Sequence, residues 1–210
     1  ARAVLGSRRA CEPFITEGRV TVDGQVVTEL GSKADPTTQE IRFDGQKISG
    51  PGRLSPELRR QQDLVCWLLH KPAGVLCTDD DPEGRPIARE LLPEKRRLHC
   101  IGRLDADSSG LLLLTNDGEL TNLLTHPRYG ILKTYAAAVD GPISNRHLEQ
   151  LLSGVRLAEG KVRARHVRRV ETGERIGELE VTVGEGVNRQ VRRMLAKVGL
   201  RCRALKRVHL

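Results

Sequence analysis

The residues best suited to chemistry are Asp105 and Asp107. They sit in a polar segment bounded by Gly102 and Gly110 that runs directly into four leucines, Leu111 to Leu114. Four consecutive apolar residues between turn signals predict a short strand buried on both faces. A carboxylate beside such a strand is held by the core rather than by a pliant loop, as a nucleophile or general base requires. The competing assignment is that either Asp merely caps or solvates a turn. A second constellation, Arg189, Arg192 and Arg193, has i, i+3, i+4 spacing on a helix whose apolar side is Val191, Met194, Leu195 and Val198. By spacing alone it is either a solvated basic face or a contact for anions.

Other chemistries find little support. The run Asp79-Asp80-Asp81 invites a metal assignment, but adjacent acids cannot all face one ion, and Pro82 and Gly84 mark an exposed loop. The five cysteines are scattered with no Cys-x-x-Cys pair, which argues against a disulfide framework or zinc site, and the six histidines lack metal-ligand spacing. No glycine-rich phosphate loop is present, so no cofactor is expected. With no run of 18 apolar residues and no basic-then-apolar leader, membrane insertion and secretion are unsupported and a cytoplasmic protein is expected.

Charge points to a partner. Of the net +8, residues 1–50 contribute nothing, residues 51–153 contribute −1 and residues 154–210 contribute +9. Arginine outnumbers lysine 27 to 8, and the planar guanidinium fork suits phosphate better than a point charge does. So polarised a basic region favours an anionic polymer, nucleic acid first.

The elements that must position these residues follow from pattern. Ser7 is placed to cap a helix with apolar positions Cys11, Phe14 and Ile15, ended by Gly18. Asp23-Gly24 between Arg19–Val22 and Gln25–Val27 signals a hairpin. Arg8 and Arg9 fall in the helix's first turn, where the dipole disfavours cations unless a phosphate sits there. Gly/Pro/Ser-rich residues 49–60 read as a linker between domains at 1–48 and 61–210. Beyond it, strands are expected at 64–69, 75–78, 111–114, 133–139, 162–170 and 177–183. A short helix is expected at 87–92. Three longer ones begin at Asn116, Ser144 and Asn188, each in the capping role. Helices mixed with hairpins and no βαβ rhythm give an α+β fold.

Several motifs in register resemble the RsuA/RluB-type family of ribosomal RNA pseudouridine synthases. They are Gly102-Arg103-Leu104-Asp105, Gly110 to Gly118, Lys71-Pro72-Ala73-Gly74, His126-Pro127-Arg128-Tyr129, Lys133-Thr134-Tyr135 and Gly186 to Met194. The first 48 residues resemble the alpha-L RNA-binding module that often precedes the catalytic domain in this branch. The resemblance implies a mixed, largely antiparallel sheet in the second domain, which converts uridine to pseudouridine within an RNA chain. Asp105 would be the essential carboxylate, attacking C1′ or removing a ribose proton. Arg192 would be its charge partner, Tyr135 would stack on the base, Val191 would pack against it, and Arg103 would fill the gap left by the flipped uridine. Asp107 and Asp117 fall outside the catalytic slot. Arg8, Arg9, Arg19, Arg189 and Arg193 would contact RNA. The partner implied is ribosomal RNA or a pre-ribosomal particle, with the large-subunit branch the closer likeness and the small-subunit branch the alternative; a monomer is expected. Ser108-Ser109 departs from a commoner Thr-Glu pair, and relatives usually continue through another strand beyond Leu210.

Two other functions compete. A non-enzymatic ribosome-assembly factor would explain the charge but not the joint presence of Asp105, Tyr135 and the Arg192 motif. A glycosidase acting on free nucleosides would need neither an RNA module nor a basic terminal region.

Overall fold

The structure, a computed structural model, describes residues 8–36, 38–49, 64–172 and 174–210, with the side chains of Arg8, Ser49, Glu171 and Thr172 outside that description. The chain divides into two compact units, Ala1–Asp63 and Leu64–Leu210. The Ser7 cap and the core of the expected linker, from residue 50 onward, lie outside the described residues.

In the first unit, helix α1 (Arg8–Thr16) precedes strands β1 (Val20–Val22), β2 (Gln25–Val27), β3 (Ile41–Phe43) and β4 (Gln46–Ser49), which pair in the order β2-β1-β3-β4. Asp23 and Gly24 turn the first hairpin with φ of 50° and 83°, the positive values that a two-residue type I′ turn needs. Phe14 and Phe43 meet at 4.9 Å between ring centroids. The Arg19 guanidinium covers both rings and donates a fork to Asp44, at 2.9 and 2.5 Å. Arg19, expected to contact RNA, is thus tied into the unit's own packing. Arg9 is exposed in the first turn of α1.

In the second unit, seven strands join one sheet among the described residues. The path is β11 (His166–Thr172), β12 (Ile176–Val183), β8 (Lys133–Asp140), β13 (Cys202–His209), β7 (Ser108–Thr115), β5 (Cys66–Lys71), with β6 (His99–Ile101) also paired to β7. The pairing is antiparallel except between β13 and β7, which run parallel; the mixed, largely antiparallel sheet is as expected. Strands β9 (Val155–Leu157) and β10 (Gly160–Val162) form a separate hairpin. Helices α2 (Gly118–Thr125), α3 (Asn145–Ser153) and α4 (Gln190–Lys197) complete the unit with two short 3-10 turns, Ala88–Leu91 and Pro127–Tyr129.

Several expected elements are corrected. The Leu111–Leu114 strand is not buried on both faces: Leu112 and Leu114 are fully buried while Leu111 and Leu113 are partly exposed. Residues 75–78 form no strand, only an isolated bridge from Leu76 to Ile87. The strand expected over 162–170 breaks at 163–165, so β10 and β11 belong to different sheets. Asp117, not Asn116, caps α2, its carboxylate accepting from the Glu119 and Leu120 N–H groups at 2.8 and 3.1 Å. Asn116 accepts instead from Val65 N–H at 2.8 Å. Likewise Arg189, not Asn188, occupies the cap position of α4.

The core forms two clusters. One packs β8, β12 and β13 against α3, α4 and the β9–β10 hairpin, through Val139, Leu151, Leu179, Met194 and Leu195. The other gathers Val75, Ala88, Leu98, Leu104, Leu112 and Leu114. Tyr135 touches both.

Candidate active site

The loop carrying Asp105 is held at several points. Leu104, immediately before it, is buried, and its N–H donates to Cys77 Sγ at 3.4 Å. The Ser108 N–H donates to the Asp105 carbonyl at 3.0 Å, closing the turn into β7. The Ala106 carbonyl accepts from Gly74 N–H at 2.7 Å and from Lys71 Nζ at 3.4 Å. Lys71 is fully buried, and its ammonium also donates to the Pro72 and Val75 carbonyls, both at 2.8 Å. Burial pushes the Lys71 pKa down, against the opposing pull of Cys77, Asp107 and Asp105. The Lys71-Pro72-Ala73-Gly74 turn therefore clamps the backbone one residue beyond Asp105.

Two arginines close the other side. Arg189, with φ 48° and ψ 34°, stands in the left-handed region just before α4, a conformation that costs energy for a non-glycine residue. Its guanidinium forks onto Asp107 at 3.0 and 2.9 Å, and Nη1 lies 3.5 Å from Asp105 Oδ2. This partner holds the Asp107 carboxyl below the usual carboxylate range. Arg192, mostly buried, donates through Nη2 to the Asp107 carbonyl at 2.9 Å and approaches the Asp107 carboxylate at 3.4 Å. Its Nη1 faces Cys202 Sγ at 3.7 Å.

The expected charge pair between Asp105 and Arg192 is corrected: Arg189 stands in that place. Because the helix begins at Gln190, Arg189 lies outside it and reaches the loop carboxylates, whereas Arg192 is spent on the Asp107 backbone and carboxylate. Arg189 is accordingly no unengaged phosphate contact, and Arg193 forks onto Glu159 at 2.8 and 2.7 Å. Arg103 is exposed with no carboxylate in ion-pair reach among the described residues. Val191 is 4% exposed and belongs to the core rather than to an open wall.

Tyr135 lies near the start of β8, where it pairs with Arg207 of β13. It packs against the cluster that contains Leu104, which links it to the Asp105 loop through the core. Arg207 pairs in turn with Gly110 at the parallel seam. At 1% exposure, its Nε donates to the Leu111 carbonyl at 2.7 Å, while Nη2 is buried with no partner among the described residues.

Sequence reasoning missed the roles of Lys71 and Arg207. The Lys71 motif was a visible signal, but long cations read as surface residues. It also missed that Cys77 and Cys100, 23 positions apart, are brought close enough to shift each other, the Cys77 thiol down and the Cys100 thiol up.

Comparison with known proteins places the chain in a family. The family model described as RNA pseudouridylate synthase matches residues 65–197, and the S4 domain model matches residues 1–39. The chain is 42% identical over 214 residues to the ribosomal large subunit pseudouridine synthase B of Yersinia pestis, covering 99% of this chain and 64% of that protein. It is 40% identical over 210 residues to the Bacillus subtilis protein of the same name, covering 99% of this chain and 81% of that one. A solved structure titled as the crystal structure of pseudouridylate synthase superposes with a TM-score of 0.63 at 25% identity, covering 96% of this chain and 81% of that one. With an S4 domain followed by the matched sheet that carries Asp105, the chain belongs to the RNA pseudouridylate synthase family.

Proposed function

We propose that this chain isomerises a specific uridine to pseudouridine in large-subunit ribosomal RNA in the cytoplasm, with Asp105 as the essential carboxylate. The N1–C1′ bond breaks, the uracil turns within the site and C5 bonds to C1′. N1 gains a proton and C5 loses one, so atoms balance without an external donor or redox partner. Asp105 acts on the ribose, either as nucleophile at C1′ or as base toward a ribose proton.

The observation that carries this reading is a carboxylate 27% exposed, on a loop clamped by Lys71 and Gly74, with a guanidinium 3.5 Å away. Such a group is fixed, solvent-reachable and charge-compensated, as catalysis by an ionised acid requires. Arg189 is the compensating cation in this scheme, and Asp107 holds it by the two-oxygen fork. Tyr135 provides the aromatic surface for the turning base, and Arg103 is the exposed cation that enters the gap in the RNA. The S4 domain supplies RNA affinity.

The large-subunit target follows the names of the relatives matched. Pseudouridine mapping of ribosomal RNA from cells lacking the protein tests both parts. One large-subunit site should vanish and return with the wild-type chain but not with Asp105→Asn. Loss at a small-subunit position would refute the target, and persistence of every pseudouridine would refute the activity.

A further inference from the structure

The β9–β10 hairpin carries a charge arrangement that the uridine site does not use. Leu157 and Val162 turn into the core, so strand alternation puts Arg156 and Lys161 on the opposite face. These two residues are direct cross-strand partners, and like charges placed opposite one another destabilise a hairpin. Helix α4 packs beside β9 and brings Arg193 and Lys197 to the same place. Arg156, Leu157, Ala158, Arg193, Ala196 and Lys197 line an open concavity of about 740 Å³. Arg193 is neutralised by Glu159, but Arg156, Lys161 and Lys197 are exposed with no carboxylate in ion-pair reach among the described residues. The helix dipole accounts for a cation at Lys197, in the last turn of α4. It does not account for Arg156 facing Lys161.

Arg193 and Lys197 lie four residues apart on α4, and Arg189 stands just before the helix, four residues ahead of Arg193. At 1.5 Å of rise per residue, α4 carries Lys197 about 10 Å along the axis from Gln190, the residue after Arg189, whose guanidinium lies 3.5 Å from Asp105. We propose that this concavity is a second RNA contact. It holds the phosphate backbone of the same ribosomal RNA a few nucleotides from the uridine at Asp105, and phosphate there relieves the Arg156–Lys161 repulsion. Small Ala158 and Ala196 let a backbone approach closely. The inference rests on the proposed function, whose substrate it extends beyond the target nucleotide.

The test uses the full chain and unmodified ribosomal RNA from cells lacking the protein, with binding measured over a salt series and pseudouridine formation in single turnover. Combined R156Q, K161Q and K197Q should reduce the slope of log affinity against log salt by about 2 to 3, at roughly 0.7 to 0.9 per phosphate lost. The rate at saturating protein should stay within twofold, because none of the three touches the Asp105 loop. Unaltered thermal melting shows that the variant folds. R146Q with R175Q, two exposed arginines elsewhere on the unit, should leave the slope unchanged. An unchanged slope in the triple variant, or an equal drop in the control, would overturn the proposal. If the slope falls as expected but the wild type forms no pseudouridine, the contact stands and the reading of the reaction falls instead.

Discussion

Gly110→Ala probes the seam on which the site is built. Gly110 has φ of +107°, and a Cβ there would lie 2.2 Å from the Arg207 carbonyl oxygen and 2.6 Å from the Arg207 nitrogen. Both obstacles are backbone atoms of β13, an interior strand, so neither can rotate aside. The unfavourable φ costs roughly 1–3 kcal/mol. Pushing β13 away weakens the ladder hydrogen bonds at that pair, at about 0.5–1.5 kcal/mol each. It also pulls the buried Arg207 Nε from the Leu111 carbonyl it now meets at 2.7 Å, and a charged donor left unsatisfied costs roughly 1.5–3 kcal/mol more. Counting one ladder bond, the sum is about 3–7.5 kcal/mol, comparable to the lower end of a domain's whole stability. Urea unfolding followed by circular dichroism should show Gly110→Ala with its midpoint collapsed, or no soluble folded protein at all. A loss below about 1.5 kcal/mol with an unchanged m-value would refute the reasoning, since it would mean that β7 and β13 part easily.

Further predictions concern the charges around Asp105. Arg189→Gln should lower the single-turnover rate by roughly 10- to 100-fold, about 1.4–2.7 kcal/mol, with little change in melting temperature because both partners are partly exposed. Loss of RNA affinity at an unchanged rate would make Arg189 a phosphate contact instead. Asp107→Asn should reduce stability at pH 7 by under about 1 kcal/mol, given an exposed pair. The folded Asp107 carboxyl is held below its unfolded value by Arg189. Its contribution is therefore present above the unfolded carboxylate range, near pH 4, and is lost as pH falls through the lower folded value. Urea unfolding at several pH values should show the gap between wild type and Asp107→Asn closing at acid pH; a constant gap would contradict the assignment.

Sequence pattern located most of the second unit's framework, because burial writes itself into apolar periodicity. Leu111–Leu114 marked β7, and Lys133–Val139 marked β8. The seam between β7 and β13 left no comparable trace: Cys202–His209 mixes apolar residues with arginine and lysine without regular alternation, and a parallel partner distant in sequence leaves no turn to betray it. Capping was legible to within one residue. Asn116 and Asp117 both suit a cap, and the choice was made by Val65, a tertiary partner 51 positions away. The same kind of slip misassigned the partner of Asp105. Asn188 is the better cap by type, but the helix starts after Arg189, and that offset decides which arginine meets the carboxylate. Lys71 was legible as part of a motif and illegible as a clamp, because its three carbonyl partners are set by the fold.

The most direct test of the central claim is single-turnover pseudouridine formation on unmodified ribosomal RNA by wild type and Asp105→Asn, with RNA affinity measured on the same preparations. The isosteric change should lower the rate by more than about 10³-fold, in the range for loss of a nucleophile or general base, while affinity and melting temperature stay near wild type because phosphate contacts dominate binding. Retention of the rate to within tenfold, or a parallel collapse of affinity and folding, would show that Asp105 holds the loop rather than performing the reaction.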